Sequence, residues 1–397
     1  MLRRSEDLVI RRPSARTLRA ALGALIVLCA LGCGGGTTEP FPFGRLAFVR
    51  TVEGDPISLI DVETGLVLRR PDSGLGLLGE DAAAYPPAGS QVVFSGGGYL
   101  VGFDLQSASI AWREAIGTSS AARFDGQSVY GNFALAFTSD GQQLLVADAD
   151  SGGVRGIAVL DAMTRDAVGF VGPLLVRTLI TRPPTAGATN PGLVALGARF
   201  DAGAATDYAR LRGKLYLIAG SPLAVTDSIA FLSTADSAAG GVVAMALASD
   251  GRSLIFITYL GNLYKYDLVD RQYVASLTLP TFGSLAISER TGSVFVIDRN
   301  SNRDYPGTGM MYVVDKDLSS ATPIDLSAAA YDRVAPRLNA IATDPESDLV
   351  YVGAGTGAYG PLFGVQRGKI IVVDVNQRRV ARVINLHSWG VAGIRFR

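Results

Sequence analysis

Residues able to do chemistry are sparse in this chain and gather in a few stretches. Asp298-Arg299-Asn300-Ser301-Asn302-Arg303-Asp304 sets oxygen-bearing side chains at alternate positions. Asp298, Asn300, Asn302 and Asp304 thus have the spacing of the first half of a calcium loop, and calcium is the one cofactor the sequence offers. Against it, Arg303 stands where the sharp turn wants glycine, and Gly309 where a bidentate glutamate closes such sites. A polar loop held by Asx turns is the stronger reading. The single histidine, His387, stands beside Ser388 and Trp389. An imidazole there could serve as a general base, but sequence neighbours do not make a triad. With one histidine and two cysteines, Cys29 and Cys33, multi-histidine metal centres and a disulfide framework are excluded. The chain carries no Gly-x-Ser-x-Gly, P-loop or dinucleotide fingerprint. The glycine runs at 96–98 and 353–357 precede no helical pattern, so they do not read as phosphate cradles.

The elements that must position these residues are repeats. Residues 249–279 give the plainest copy: a Ser249-Asp250-Gly251 turn, an apolar run from Leu254 to Thr258, a Leu260-Gly261-Asn262 hairpin, and two further runs. The short apolar segments alternate or run continuously, with no ten-residue helical stripe between them. An aspartate closing the third run is the landmark: Asp61, Asp104, Asp161, Asp267, Asp315 and Asp374, with Ala219 in the divergent fourth copy. Such an aspartate can accept backbone hydrogens just downstream and hold a tight corner. Seven units follow, near 45–70, 83–116, 133–172, 176–232, 242–279, 283–326 and 339–385. A period of roughly 50 residues falls in the range of propeller blades.

The two ends complete one unit. Unit 1 starts at its second strand, and Gly390 to Phe396 matches the first strands of other units. The expected architecture is all-β: a seven-bladed β-propeller of four-stranded blades, closed by residues 391–397 pairing into blade 1, so that no edge stays open. Units such as Asp344-Pro345-Glu346-Ser347-Asp348-Leu349-Val350-Tyr351-Val352 and Gly368-Lys369-Ile370-Ile371-Val372-Val373-Asp374-Val375 resemble YVTN-type, WD40-like propeller repeats. That resemblance implies a blade and specifies no activity. It also brings lactonase-like hydrolytic propellers into view as the alternative to a binding module.

In a four-stranded blade, A–B turns and C–D corners share one face, and B–C and D–A loops share the other. The A–B turns at 139–141, 249–251 and 290–292 are tight, and we expect the elaboration to lie wholly in the opposite loops. Those at 201–213, 298–309, 327–338, 353–368 and 386–390 carry Tyr208, Arg210, Tyr305, Tyr331, Arg333, Tyr359, Phe363, His387 and Trp389. Aromatic and arginine side chains on long loops are the usual material of binding faces. Ala134/Ala136, Ala244/Ala246 and Ala340/Ala342 line the first strands with small residues. Arg395 replaces such an alanine and Arg177 enters the fourth unit, so both are expected at the axial mouth.

The N-terminus reads as an address. Six arginines precede a thirteen-residue apolar stretch, Ala20 to Gly32, too short to span a bilayer comfortably. Ala30-Leu31-Gly32-Cys33, followed by a Gly/Thr stretch, resembles a bacterial lipoprotein box, which implies cleavage before Cys33 and acylation of it. The expected organisation is a signal peptide at 1–32, a tether at 33–43 and the propeller at 44–397. The expected place is the bacterial cell envelope, lipid-anchored on the outer-membrane or periplasmic side. Beyond residue 32 there are 30 basic and 34 acidic residues, which argues against nucleic acid as a partner. Hydrophobic residues at 48% with 18% charged allow a large core. The function expected is binding or scaffolding of a protein, peptide or glycan through the loop face.

Overall fold

The computed structural model describes residues 46–51, 57–69, 83–86, 91–96, 99–104, 107, 109–115, 123–124, 127–128, 134–151, 154–182, 192–198, 214–230, 232–238, 241–298, 308–330, 338–355, 368–386 and 390–396. Phe43–Arg397 make up one compact unit.

The described strands pair into seven four-stranded antiparallel sheets and one two-stranded hairpin. The first sheet holds β1 (Leu46–Thr51), β2 (Ile57–Asp61) and β3 (Val67–Arg69). The second holds β4 (Ala83–Ala84), β5 (Gln91–Gly96), β6 (Tyr99–Asp104) and β7 (Ser109–Ala115). The hairpin of β8 (Arg123–Phe124) and β9 (Gln127–Ser128) sits in the next connection. The third sheet is β10 (Leu135–Phe137), β11 (Gln143–Ser151), β12 (Val154–Asp161) and β13 (Ala167–Val171). The fourth is β14 (Leu175–Thr181), β15 (Leu193–Ala198), β16 (Lys214–Ala219) and β17 (Ala224–Ile229). After helix α1 (Thr234–Ala238) comes the fifth: β18 (Val242–Leu247), β19 (Ser253–Thr258), β20 (Asn262–Asp267) and β21 (Gln272–Thr278). The sixth is β22 (Leu285–Ile287), β23 (Val294–Ile297), β24 (Met310–Val314) and β25 (Ala321–Asp325), followed by α2 (Ser327–Ala330). The seventh is β26 (Leu338–Thr343), β27 (Leu349–Ala354), β28 (Lys369–Asp374) and β29 (Arg379–Asn385). The last strand, β30 (Val391–Phe396), returns to the first sheet and pairs with β1, from Ala47↔Phe396 to Thr51↔Val391.

Each sheet shares an apolar cluster with the next. Leu59 meets Val92 and Phe103 between the first and second sheets. Five further clusters carry the packing on to the seventh. The seventh sheet then meets the first through Tyr351, Ile370 and Val372 against Val49, Ile60 and Ile394. Sheets stacked face to face around an axis, each burying both faces, constitute a β-propeller.

The corners behave as their chemistry requires. Asp161 accepts the Met163 and Thr164 amides at 2.9 and 2.8 Å, and Asp267 those of Val269 and Asp270 at 2.8 and 2.9 Å. These backbone donors hold the carboxyl of Asp161 below its ordinary value. Four residues after the aspartate, the chain turns left-handed at Gly65, Arg165, Arg271 and Arg378. Only one of these is glycine, so the aspartate clamp offsets the cost of a side chain at positive φ. The opposite turns use glycine at Gly141, Gly251 and Gly292, with φ between 63° and 72°.

One expectation about the connections fails. Elaboration is not confined to the B–C and D–A side, because β14 and β15 are joined across residues 182–192, an A–B connection. Its sequence carries three prolines and two glycines, and at eleven residues it is longer than the connections 138–142, 248–252 and 288–293 of its sister sheets.

Where the closing strand packs against the seventh sheet the fit is tight. A Cβ at Gly353 would lie 2.5 Å from Val391 Cγ1 and 3.2 Å from Ala340 Cβ. Gly353→Ala is therefore expected to push β30 off its seat and cost about 1–3 kcal/mol. The test is the urea midpoint of the variant, and an unchanged midpoint would contradict this packing.

Candidate functional site

The innermost strand of each sheet has a partner on one side only, so its inner edge must find water, a ligand or a neighbour. Seven such strands, β4, β10, β14, β18, β22, β26 and β30, surround one cavity of about 600 Å³. That volume lies in the ~300–1,000 Å³ range of small-molecule sites.

Strand register divides the lining into layers. The residues opposite Val93, Leu145, Val194, Ile255, Phe295, Tyr351 and Phe48 are Ala84, Ala136, Ile180, Ala246, Ala286, Ala342 and Arg395. Six small or aliphatic side chains and one guanidinium thus form a single layer. Arg395 is solvent-exposed and lines the cavity. The next layer outward includes Thr181 and Thr343, which tie neighbouring sheets together. Thr181 Oγ1 donates to the Phe137 carbonyl, and Thr343 Oγ1 to that of Ile287 at 2.9 Å. Ser284 Oγ adds a third rung to the Asn339 carbonyl at 3.1 Å.

Arg177 occupies a different level. The ladder skips it between Val176 and Thr178, as it skips Val243 in β18, Asn339 in β26 and Ala392 in β30. This recurrent bulge lies at the D–A end of the inner strand, whereas Arg395 lies one residue from the A–B end. Three positions separate the two levels, roughly 10 Å along a strand. The two arginines expected at one mouth therefore stand at opposite ends of the lining strands.

Of the calcium set, only Asp298 is among the described residues. Its carboxylate is already engaged, accepting from Thr281 Oγ1 at 2.6 Å and from the Thr308 amide and hydroxyl at 2.8 and 2.5 Å. It thereby ties Thr281 and Thr308, far apart in the chain, to one carboxylate. Asn300, Asn302 and Asp304 lie outside the described residues, as do Cys33, Tyr208, Arg210, Tyr305, Tyr331, Arg333, Tyr359, Phe363, His387 and Trp389. Among the described residues, no group of three His, Cys, Asp or Glu side chains is placed to hold a metal ion. No described helix is long and apolar enough to cross a membrane.

No protein-family model matches the sequence, and no curated protein matches it. Solved structures do. Dihydro-heme d1 dehydrogenase NirN, solved in complex with DHE, superposes with a TM-score of 0.54 at 16% identity over 89% of this chain. The match covers 66% of NirN, so the chain spans just under two thirds of that protein's length. The β-propeller domain of Myceliophteria thermophila Cps50 (Swd1) superposes with a TM-score of 0.51 at 13% identity, over 78% of this chain and 87% of that domain. At these identities the likeness establishes the propeller fold.

One buried carboxylate escaped the reading of the sequence. Asp236 in α1 is 0% exposed and accepts from Thr258 Oγ1 (2.6 Å), Asn262 Nδ2 (2.9 Å) and Tyr264 Oη (2.6 Å). It pins the connection entering the fifth sheet to that sheet's middle strands. The available signal was three polar side chains, Thr258, Asn262 and Tyr264, gathered within seven residues around one hairpin. Burial raises the Asp236 pKa, but the three donors outweigh it and the net shift is downward from 3.8. Burial and the same carboxylate push the Tyr264 hydroxyl well up. A folded pKa below the unfolded one stabilises the protein above the unfolded value, and that gain fades as pH falls through the folded value. Asp236→Ala is thus expected to cost about 3 kcal/mol at pH 7 by stranding buried donors. The gap from the parent protein should narrow below pH 3.8, as read by denaturant unfolding across a pH series. A gap independent of pH would contradict an ionised Asp236.

Proposed function

We propose that the seven sheets are the blades of one closed propeller, lipid-tethered at Cys33 on the extracytoplasmic side of a bacterial envelope, that works as a binding module. The observation carrying this reading is the axial cavity, about 600 Å³, to which every inner strand contributes. Its walls are held by cross-sheet rungs and apolar clusters, so the site is pre-formed, which keeps the ordering cost of binding low. The B–C and D–A loops, with Tyr208, Arg210, Tyr305, Tyr331, Arg333, Tyr359, Phe363, His387 and Trp389, form the rim that would extend it toward a protein, peptide or glycan. Loops on a rigid scaffold favour that division of labour.

The lactonase-like alternative needs convergent acid, base and electrophile at the axis. The described lining supplies one carboxylate, Glu289, and one arginine, Arg395, which gives hydrolysis little to work with.

Two experiments test the reading. Metabolic labelling with palmitate should tag the parent protein, and Cys33→Ser should lose both the label and sedimentation with membranes. A variant that stays labelled removes the anchor. For binding, the chain is presented to envelope extracts beside a variant whose residues 356–367 are replaced by a short Gly-Ser linker, which spares β27 and β28. The ligand set is expected to shrink with that loop, and identical capture by both chains would contradict the loop rim.

A further inference from the structure

We propose that the axial cavity takes a small anion bearing carboxylate or phosphate oxygens, with the Arg395 guanidinium as its anchoring cation. The inference rests on the cavity being the ligand site and adds the chemical class of the ligand.

Arg395 stands in a layer otherwise built of Ala84, Ala136, Ile180, Ala246, Ala286 and Ala342. The fold at that level evidently accepts a methyl group, so a long cation there answers no packing need. Four other described arginines do structural work. Arg252 bridges Asp267 and Asp270, Arg165 pairs with Glu114, Arg271 with Asp227, and Arg382 donates to the carbonyls of Val62 and Glu63. Arg395 has no ion pair with a described carboxylate and is exposed to the cavity. A planar guanidinium offers five donors in a fork suited to carboxylate or phosphate oxygens. Strand-edge amides and the hydroxyl of Thr178 on the same lining could complete the shell, while aliphatic walls lower the local dielectric and strengthen the pairing. Glu289 lies two residues past the end of β22, beyond the Arg395 layer in register, so the two charges occupy different levels.

The test is calorimetric titration of the purified chain with citrate, with inorganic phosphate and with glucose as a neutral control, at low and high salt. One of the anions is expected to bind one-to-one and glucose not at all. Arg395→Ala should weaken binding about tenfold or more, with Arg395→Lys in between. Because sister sheets carry alanine at this level, Arg395→Ala should melt within about 2 °C of the parent, so lost binding cannot be blamed on lost folding. Equal anion affinity in parent and Arg395→Ala would overturn the proposal, as would no anion binding at about 10 mM. An Ala246→Trp variant, which fills the cavity from another sheet, separates the two readings. A ligand lost with Ala246→Trp but indifferent to Arg395→Ala would sink the anion and leave the cavity as the binding site.

Discussion

The structure depends on one pairing, β30 against β1. A sheet packed on both faces tolerates no free end in a circular stack, because the first and last sheets would each expose an apolar face. Here the last strand of the chain supplies the innermost strand of the first sheet, so opening the ring would require breaking a backbone ladder as well as separating two faces. The cluster of Tyr351, Ile370 and Val49, and the Arg382 contacts to Val62 and Glu63, then seal the seam. The axial cavity exists because the seam is closed.

From that pairing the division between scaffold and site follows. Backbone bonding and apolar clusters fix seven inner strands at fixed levels, so a side chain at one level faces the same space as its counterparts in other sheets. The threonine rungs at Thr181 and Thr343 use inner-strand carbonyls that would otherwise face the opening. Those rungs are neutral, which leaves charge free to act where a single arginine appears.

Much of this was legible in the residues. The landmark aspartates at 61, 161, 267, 315 and 374 marked the corners because a carboxylate clamping nearby amides is a local device, visible over five residues. The closing strand was legible because unit 1 lacks a first strand and Gly390 to Phe396 lacks a sheet. What was not legible depends on distances between residues far apart in the chain. The bulge at Arg177 shows only in the pairing of β14 with β15, and the Asp236 latch joins residues 22 to 28 positions apart. The A–B connection at 182–192 breaks the pattern of the tight turns at 139–141, 249–251 and 290–292, because a turn motif in one sheet sets no length for its counterpart in another.

The antiparallel match of Ala47 with Phe396 has a mechanical side. β1 runs between two partners, β2 and β30, over nearly its whole length. A pull transmitted along the chain into Leu46 and down the strand meets both ladders in shear, with their hydrogen bonds loaded together and none peeled off singly. A propeller hung from its own N-terminal segment would thus be held by a strand laddered on both sides. The A–B side, where β1 begins and β30 ends, would be the side that takes the strain.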